Sequence, residues 1–202
     1  MSKLPLSFYQ RPALTVAPEL LGKILVTSLP EGITSGKIVE VEAYTGIKDP
    51  ASHVYGGKKT ERTRVIFEEG GKVYVYYVYG MHVCFNIVTG EKGTAECVFV
   101  RALEPLEGIE IMKKRRGVND IFKLTSGPAK LTQALGIDMS FYGESLDGKR
   151  IYLKEGEKIE PSRIDTSPRI GIDYAGEAKE WEYRFFIKDS PFLSVKLSRR
   201  RF

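Results

Sequence analysis

An α+β fold built on a curved, largely antiparallel sheet, with peripheral helices and a protruding β-hairpin, is the architecture these 202 residues predict. Three observations predict it. Five runs rich in β-branched and aromatic residues are each bounded by Gly, Pro or charge. Helical segments are few and do not alternate with those runs, which argues against a parallel βαβ sheet. Two of the runs are separated only by Gly80-Met81, a hairpin-length connection in which the glycine supplies the turn geometry.

In chain order, a helix is expected near Ala17–Leu21. The five strand candidates are Ile24–Leu29, Lys37–Tyr44, Lys72–Tyr79, His82–Val88 and Cys97–Leu103. The segment Gly46–Arg64 is polar, Gly-rich and basic, and reads as a surface loop of the kind that carries function on a rigid scaffold. Leu103-Glu104-Pro105 leads into a predicted helix over Pro105–Arg116. A further helix is expected over Pro128–Leu135, with Pro in its first turn, Gly136 at its end and Ser126 as its cap. Ile151–Leu153, Arg169–Ile172 and Arg184–Ile187 are shorter strand candidates.

With 42% hydrophobic and 28% charged residues, the composition is that of an ordinary globular chain. No internal repeat or break in composition divides it, so residues 1–202 are read as one domain. No apolar run approaches the roughly 20 residues a bilayer span needs. The N-terminus lacks the apolar stretch of a secretory signal, so a cytoplasmic, nucleoid-associated and unsecreted protein is expected. Cys84 and Cys97 have no Cys-x-x-Cys spacing and read as buried thiols; two histidines without paired ligands argue against a metal centre. The net charge of +5 is clustered at Lys58, Lys59, Arg62 and Arg64, at Lys113–Arg116, and at Lys196 with Arg199–Arg201. Such clusters bind phosphates by releasing counterions, although a merely solvated surface has the same composition.

Chemistry enters through a few side chains. A strand has period two, so Glu40, Glu42 and Tyr44 share one face, and a carboxylate beside an aromatic is a candidate general base for water. An edge-strand salt bridge would use the same residues. Tyr74 and Tyr76 share one face, and Tyr77 and Tyr79 the other; Tyr76 could join Tyr44 in a stacking pocket. Tyr79 sits at the hairpin apex, where an aromatic on a basic protein can wedge into a base stack. His53 lies in the polar loop, within reach of a substrate or as a bystander. Arg101 interrupts an apolar run and needs a partner, for which Glu42 would suit. Asn86 is placed either to read a base edge or to bond within the core.

The joint order of several segments resembles the alkyladenine (3-methyladenine) DNA glycosylase family over nearly the whole chain. These segments include Leu20-Leu21-Gly22, Val39-Glu40-Val41-Glu42-Ala43-Tyr44, Ala51-Ser52-His53 and Tyr74–Met81. Arg101–Gly108, Ser126–Leu131, Arg169-Ile170-Gly171 and Ser190-Pro191-Phe192 continue the match. The resemblance implies a base-excision-repair enzyme, without a lyase step, that flips alkylated or deaminated purines out of double-stranded DNA. It implies Glu42 as the carboxylate that activates water and Arg101 as its partner. Tyr44, His53, Tyr76 and Asn86 become the base-binding set, and Tyr79 the intercalating side chain. Lys58, Arg62, Arg64 and Lys130 are candidate DNA-backbone contacts. A monomer without cofactor or metal is expected. His82 departs from the tyrosine of the mammalian member, which puts the neighbouring minor-groove contacts in question. Two other readings stay open on the residues alone, a non-catalytic nucleic-acid-binding module and an enzyme on free nucleosides. The order of preference among 3-methyladenine, 7-methylguanine, hypoxanthine and ethenoadenine also stays open.

Overall fold

The computed structural model describes residues 2–195, so the basic cluster at Lys196 and Arg199–Arg201 lies outside the described residues. Two short helices, α1 (Leu6–Tyr9) and α2 (Ala13–Leu20), precede the first two strands, β1 (Ile24–Leu29) and β2 (Gly32–Tyr44). A long connection with three 3-10 turns leads to β3 (Val73–Val78), β4 (His82–Thr89) and β5 (Glu96–Glu107). Helices α3 (Ile109–Arg116) and α4 (Pro128–Leu135) follow, and β6 (Ile151–Lys154), β7 (Ile164–Ser167) and β8 (Arg184–Ile187) complete the chain. All pairings are antiparallel, in the order β3-β4-β5-β2-β1-β6, with β8 on β2 and β7 on β8.

The length of β2 explains the curvature. One edge of this 13-residue strand pairs with β5 from Ser35 to Tyr44. Its other edge is divided: the first half pairs with β1, and Glu40, Val41 and Glu42 pair with Phe186, Phe185 and Arg184 of β8. Register shifts on either side of Glu40 mark a bulge, which bends the strand and increases its twist. Glu42 thus lies on a strand hydrogen-bonded on both sides.

Alternation separates the two faces. Val41 and Ala43 of β2, Val73 and Val75 of β3, Phe85 and Ile87 of β4, and Val98 and Val100 of β5 point into the main core. That core is closed by Val16, Ala17 and Leu20 of α2 and by Leu131, Ala134 and Leu135 of α4. The intervening residues, among them Glu42, Tyr44, Tyr74, Tyr76, Cys84, Asn86, Phe99 and Arg101, face the other way. Two small apolar clusters lie on that side, one around Val54, Val65, Ile66 and Tyr74, the other around Ala51, Ile172, Ala175 and Ala178.

Several boundaries differ from expectation. The helix near Ala17–Leu21 begins earlier, at Ala13 behind Pro12. The helix expected from Pro105 starts at Ile109. Pro105 instead continues β5 opposite Gly36, beside a register shift where a missing N–H is tolerated, and left-handed Gly108 breaks the strand. Helix α4 has the expected bounds and ends on left-handed Gly136, but Gly127 occupies its cap and no side chain caps it, so Ser126 does not have that role. Arg169–Ile172 is not a strand; it forms bends over the cavity described below, and β7 is a strand that the residue pattern does not announce. The hairpin turn is one residue longer than expected. Val78 pairs with His82, and both Tyr79 (φ 51°) and Gly80 (φ 71°) are left-handed, a conformation that costs a tyrosine more than a glycine. No helix among the described residues is long and apolar enough to cross a membrane.

Candidate active site

A cavity of about 390 Å³ opens on the face opposite the main core. That is within the roughly 300–1,000 Å³ common for small-molecule sites. Its walls come from three directions. Tyr76, Cys84, Asn86, Phe99 and Arg101 rise from β3, β4 and β5; Tyr44 and His53 come from the end of β2 and the loop after it; Ile170, Gly171, Ile172 and Tyr174 cover it from the far side. Tyr44 and Tyr76, expected to share a stacking pocket, both line it. So do His53, Asn86, Arg101 and the hairpin-tip Tyr79.

Glu42 is not on the cavity surface. It is 0% exposed, and its carboxylate is met by three hydrogen-bond donors. Oε1 receives the Ile170 backbone N–H at 2.8 Å and lies 3.2 Å from Arg101 Nη1; Oε2 receives the Tyr44 hydroxyl at 3.0 Å. Two of those donors, Tyr44 and Arg101, are themselves cavity walls. The carboxylate is therefore one side chain away from the open space. The Tyr44 hydroxyl is held protonated well above its ordinary range, first by burial and then by the negative charge of Glu42.

Behind Arg101 lies a second carboxylate. Glu40 Oε1 accepts from Arg101 Nε at 3.0 Å, Arg184 Nε at 2.8 Å and the Ser194 hydroxyl at 2.7 Å; Oε2 accepts the Ser194 N–H at 2.6 Å. Burial opposes ionisation of Glu40, but the hydrogen bonds and charge of Arg184 and the donors of Ser194 outweigh it and hold the carboxyl below its usual range. Burial likewise opposes the charge on Arg101, and the facing carboxylates of Glu42 and Glu40 more than restore it.

On the other side of Tyr44, Arg169 forms a fully buried two-point ion pair with Asp49, at 2.5 and 2.9 Å, and donates to the Ala43 carbonyl. Its guanidinium lies over the Tyr44 ring, 4.6 Å from the centroid. This pair joins the loop carrying His53 to the loop carrying Ile170. Sequence pattern gives Asp49 no role and gives Glu40 only a face shared with Glu42, because each acquires its meaning from a partner more than 60 positions away.

Tyr74 is a support: it stacks on Tyr76 with centroids 5.2 Å apart, and its hydroxyl lies 2.9 Å from His53 Nδ1. His53 is half-buried, in contrast to the exposed position its polar loop suggests. Burial, and then the charge of Arg62, push its imidazole down to about 4. Asn86 donates to the Tyr74 carbonyl at 3.2 Å, so it bonds within the sheet while also facing the cavity. Cys84 and Cys97 are buried thiols on the same face, and burial raises them to about 11 and 12.

Around the mouth, Tyr79 is 91% exposed, and Tyr77, Met81 and Tyr174 are also exposed apolar groups. Lys58, Arg62 and Arg64 project from the loop beside His53, and Lys130 is exposed on α4. The Lys113–Arg116 cluster behaves differently. Arg115 donates to the Ala134 carbonyl, and Arg116 to the Leu124 carbonyl and the Gln133 side chain, so half of it fastens α3 to α4.

A model of the methylpurine-DNA glycosylase family matches residues 7–191. The chain belongs to that family. Within it, the chain is 48% identical over 204 residues to a Desulfitobacterium hafniense protein, covering 97% of this chain and all of the relative. It is 46% identical to a Clostridium acetobutylicum protein, covering 96% and 98%. A Bacillus licheniformis protein is also 46% identical, covering 95% and 96%. All three carry the provisional name 3-methyladenine DNA glycosylase. The family model spans every cavity-lining residue named above, from Tyr44 to Tyr174.

Proposed function

We infer that this protein is a monofunctional DNA glycosylase that removes alkylated purines, and deaminated purines more slowly, from double-stranded DNA. The observation that carries this reading is the buried Glu42–Arg101 pair, set one side chain behind a cavity walled by Tyr44 and Tyr76, in a chain of the methylpurine-DNA glycosylase family.

The damaged nucleotide turns out of the duplex, and its base enters between the two tyrosines, because no carboxylate could reach the sugar inside a base stack. Tyr79 fills the gap left behind. A purine alkylated at N3 or N7 is cationic, and a cation between aromatic faces gains about 0.5–2 kcal/mol over a neutral ring. Glu42 is closed to solvent behind Tyr44 and Arg101, so on base binding a water must enter between those two side chains to reach it; that water attacks C1′. The C1′–N9 bond breaks as the C1′–O bond forms; the bonding electrons neutralise the departing base, and the water proton passes to Glu42. General-base assistance of this kind contributes roughly 100- to 10,000-fold. A neutral base such as hypoxanthine also needs a proton at departure, which makes it the slower substrate. Asn86 crowds the position of the guanine exocyclic amine and disfavours the normal base. Among the described residues no lysine lines the cavity, which supports simple hydrolysis to an abasic site rather than a Schiff-base lyase step. Lys58, Arg62, Arg64 and Lys130 are proposed to meet the backbone, and the protein is proposed to act as a monomeric single domain associated with the nucleoid.

The test is release of free base from duplex DNA methylated on its purines, with borohydride trapping in parallel. Expected are free methylpurines, abasic sites that break only on later alkali treatment, and no trapped adduct. DNA that is bound but releases no base would overturn the enzymatic reading, and a trapped adduct would overturn the monofunctional one.

A further inference from the structure

We propose that Glu40, acting together with Ser194, is a positioning residue for the reaction, so that the segment after β8 is part of the active site. The inference rests on the reading of Glu42 and Arg101 just given.

Arg101 has two edges. Nη1 faces Glu42 at 3.2 Å, while Nε meets Glu40 at 3.0 Å and Nε and Nη2 each lie 3.4 Å from the Ser194 hydroxyl. Glu40 is 0% exposed and accepts four donors, a complete set for a carboxylate. Only one of these donors, Arg101, belongs to the cavity wall. The other three come from Arg184 and Ser194, which lie 144 and 154 positions further along the chain. Alternation along β2 places this carboxylate on the same side as Glu42, where both meet Arg101.

The charges explain why both carboxylates are needed. Arg101 and Arg184 together match Glu40 and Glu42, so the buried group is neutral as a whole. With Glu40 neutralised, Arg101 would be drawn wholly to Glu42, where it would compete with the attacking water for the carboxylate lone pairs. Glu40 and Ser194 therefore hold the guanidinium back and fix its plane. A misplacement of about 1 Å in such an arrangement costs on the order of 100-fold in rate.

The test compares single-turnover base release from methylated duplex DNA by wild type, Glu42→Gln, Glu40→Gln, Ser194→Ala and Ser194→Thr, with DNA affinity and melting temperature measured for each. Ser194→Ala keeps the backbone N–H and removes only the hydroxyl. It is expected to slow base release about tenfold, with DNA affinity unchanged and the protein still folded at the assay temperature, and Ser194→Thr is expected to restore the rate. Glu40→Gln, where folded, is expected to lose about 100-fold. A wild-type rate in Ser194→Ala would overturn the proposal whether or not Glu40→Gln folds. A slowed Ser194→Ala that Ser194→Thr does not rescue would also overturn it. If wild type releases no base, or Glu42→Gln releases it at the wild-type rate, the parent reading has failed and this one with it.

Discussion

Tyr44 faces in two directions: its ring walls the cavity, and its hydroxyl donates to Glu42 Oε2 at 3.0 Å. A hydrogen bond to a charged group is worth about 1.5–3 kcal/mol. Tyr44→Phe, which keeps the ring, is therefore predicted to lower single-turnover base release at least about tenfold while leaving affinity for lesion-bearing duplex within about twofold; rapid-quench and binding measurements check the two halves separately. His53 carries a prediction about pH. Its native imidazole titrates near 4 rather than the ordinary 6.5, so between those values the unfolded chain binds a proton that the native protein does not. Its contribution to stability is complete above about pH 6.5 and is lost as pH falls toward 4. His53→Gln is predicted to flatten the slope of unfolding free energy against pH within that window, as measured by denaturant titration. At this scale the sequence is informative where period two suffices. Glu42 and Tyr44 need only the location of β2 to be placed together, as Tyr74 and Tyr76 need only that of β3. The burial of Glu42 behind Arg101 and Tyr44 is not legible, because it depends on Ile170, 128 positions away.

Among elements, the hairpin of β3 and β4 and the two loops facing it divide the work. Tyr79 is 91% exposed on a turn of two left-handed residues, so its side chain contributes little to folding. Tyr79→Ala is predicted to leave the melting temperature unchanged and to weaken base release from duplex DNA; an equal loss on a flexible single-stranded substrate would argue against a wedge. The opposite balance holds for Asp49 and Arg169. Breaking a fully buried ion pair by removing one partner costs about 3–5 kcal/mol, so Asp49→Asn is predicted to lower stability by that order in denaturant titration. It should also loosen the loop that carries His53. The short runs show why sequence places some elements and misses others. Arg184–Ile187 is apolar and pairs as expected, whereas Arg169–Ile172 has the same appearance but spends its polar groups on Asp49 and Glu42 instead of a neighbouring strand. Pro105 reads as a helix start because it follows an apolar run, and only pairing with Gly36 shows it to be the end of β5.

For the whole molecule, charge and topology act together. The sheet presents its apolar face to α2 and α4 and its functional face to the cavity, and the basic residues Lys58, Arg62 and Arg64 stand on the loop beside the mouth. If these residues meet phosphates, each one removed should lower the slope of log affinity against log salt by about 1, nearly independently of sequence and of lesion. The net charge announces such a surface, but it does not show that Arg115 and Arg116 are occupied in joining α3 to α4; helix packing decides that. The fold class was legible because strand runs and a hairpin signal are local, while the division of β2 between β1 and β8, which creates the curved face, is a long-range pairing. Glu42 is proposed to perform the chemistry behind a pocket that other residues build. The most direct measurement sets wild type beside Glu42→Gln on one methylated duplex, following binding and single-turnover base release together. Equal binding and a loss of at least 100-fold in release by the variant are expected; release at the wild-type rate by Glu42→Gln would show that this carboxylate is not the base.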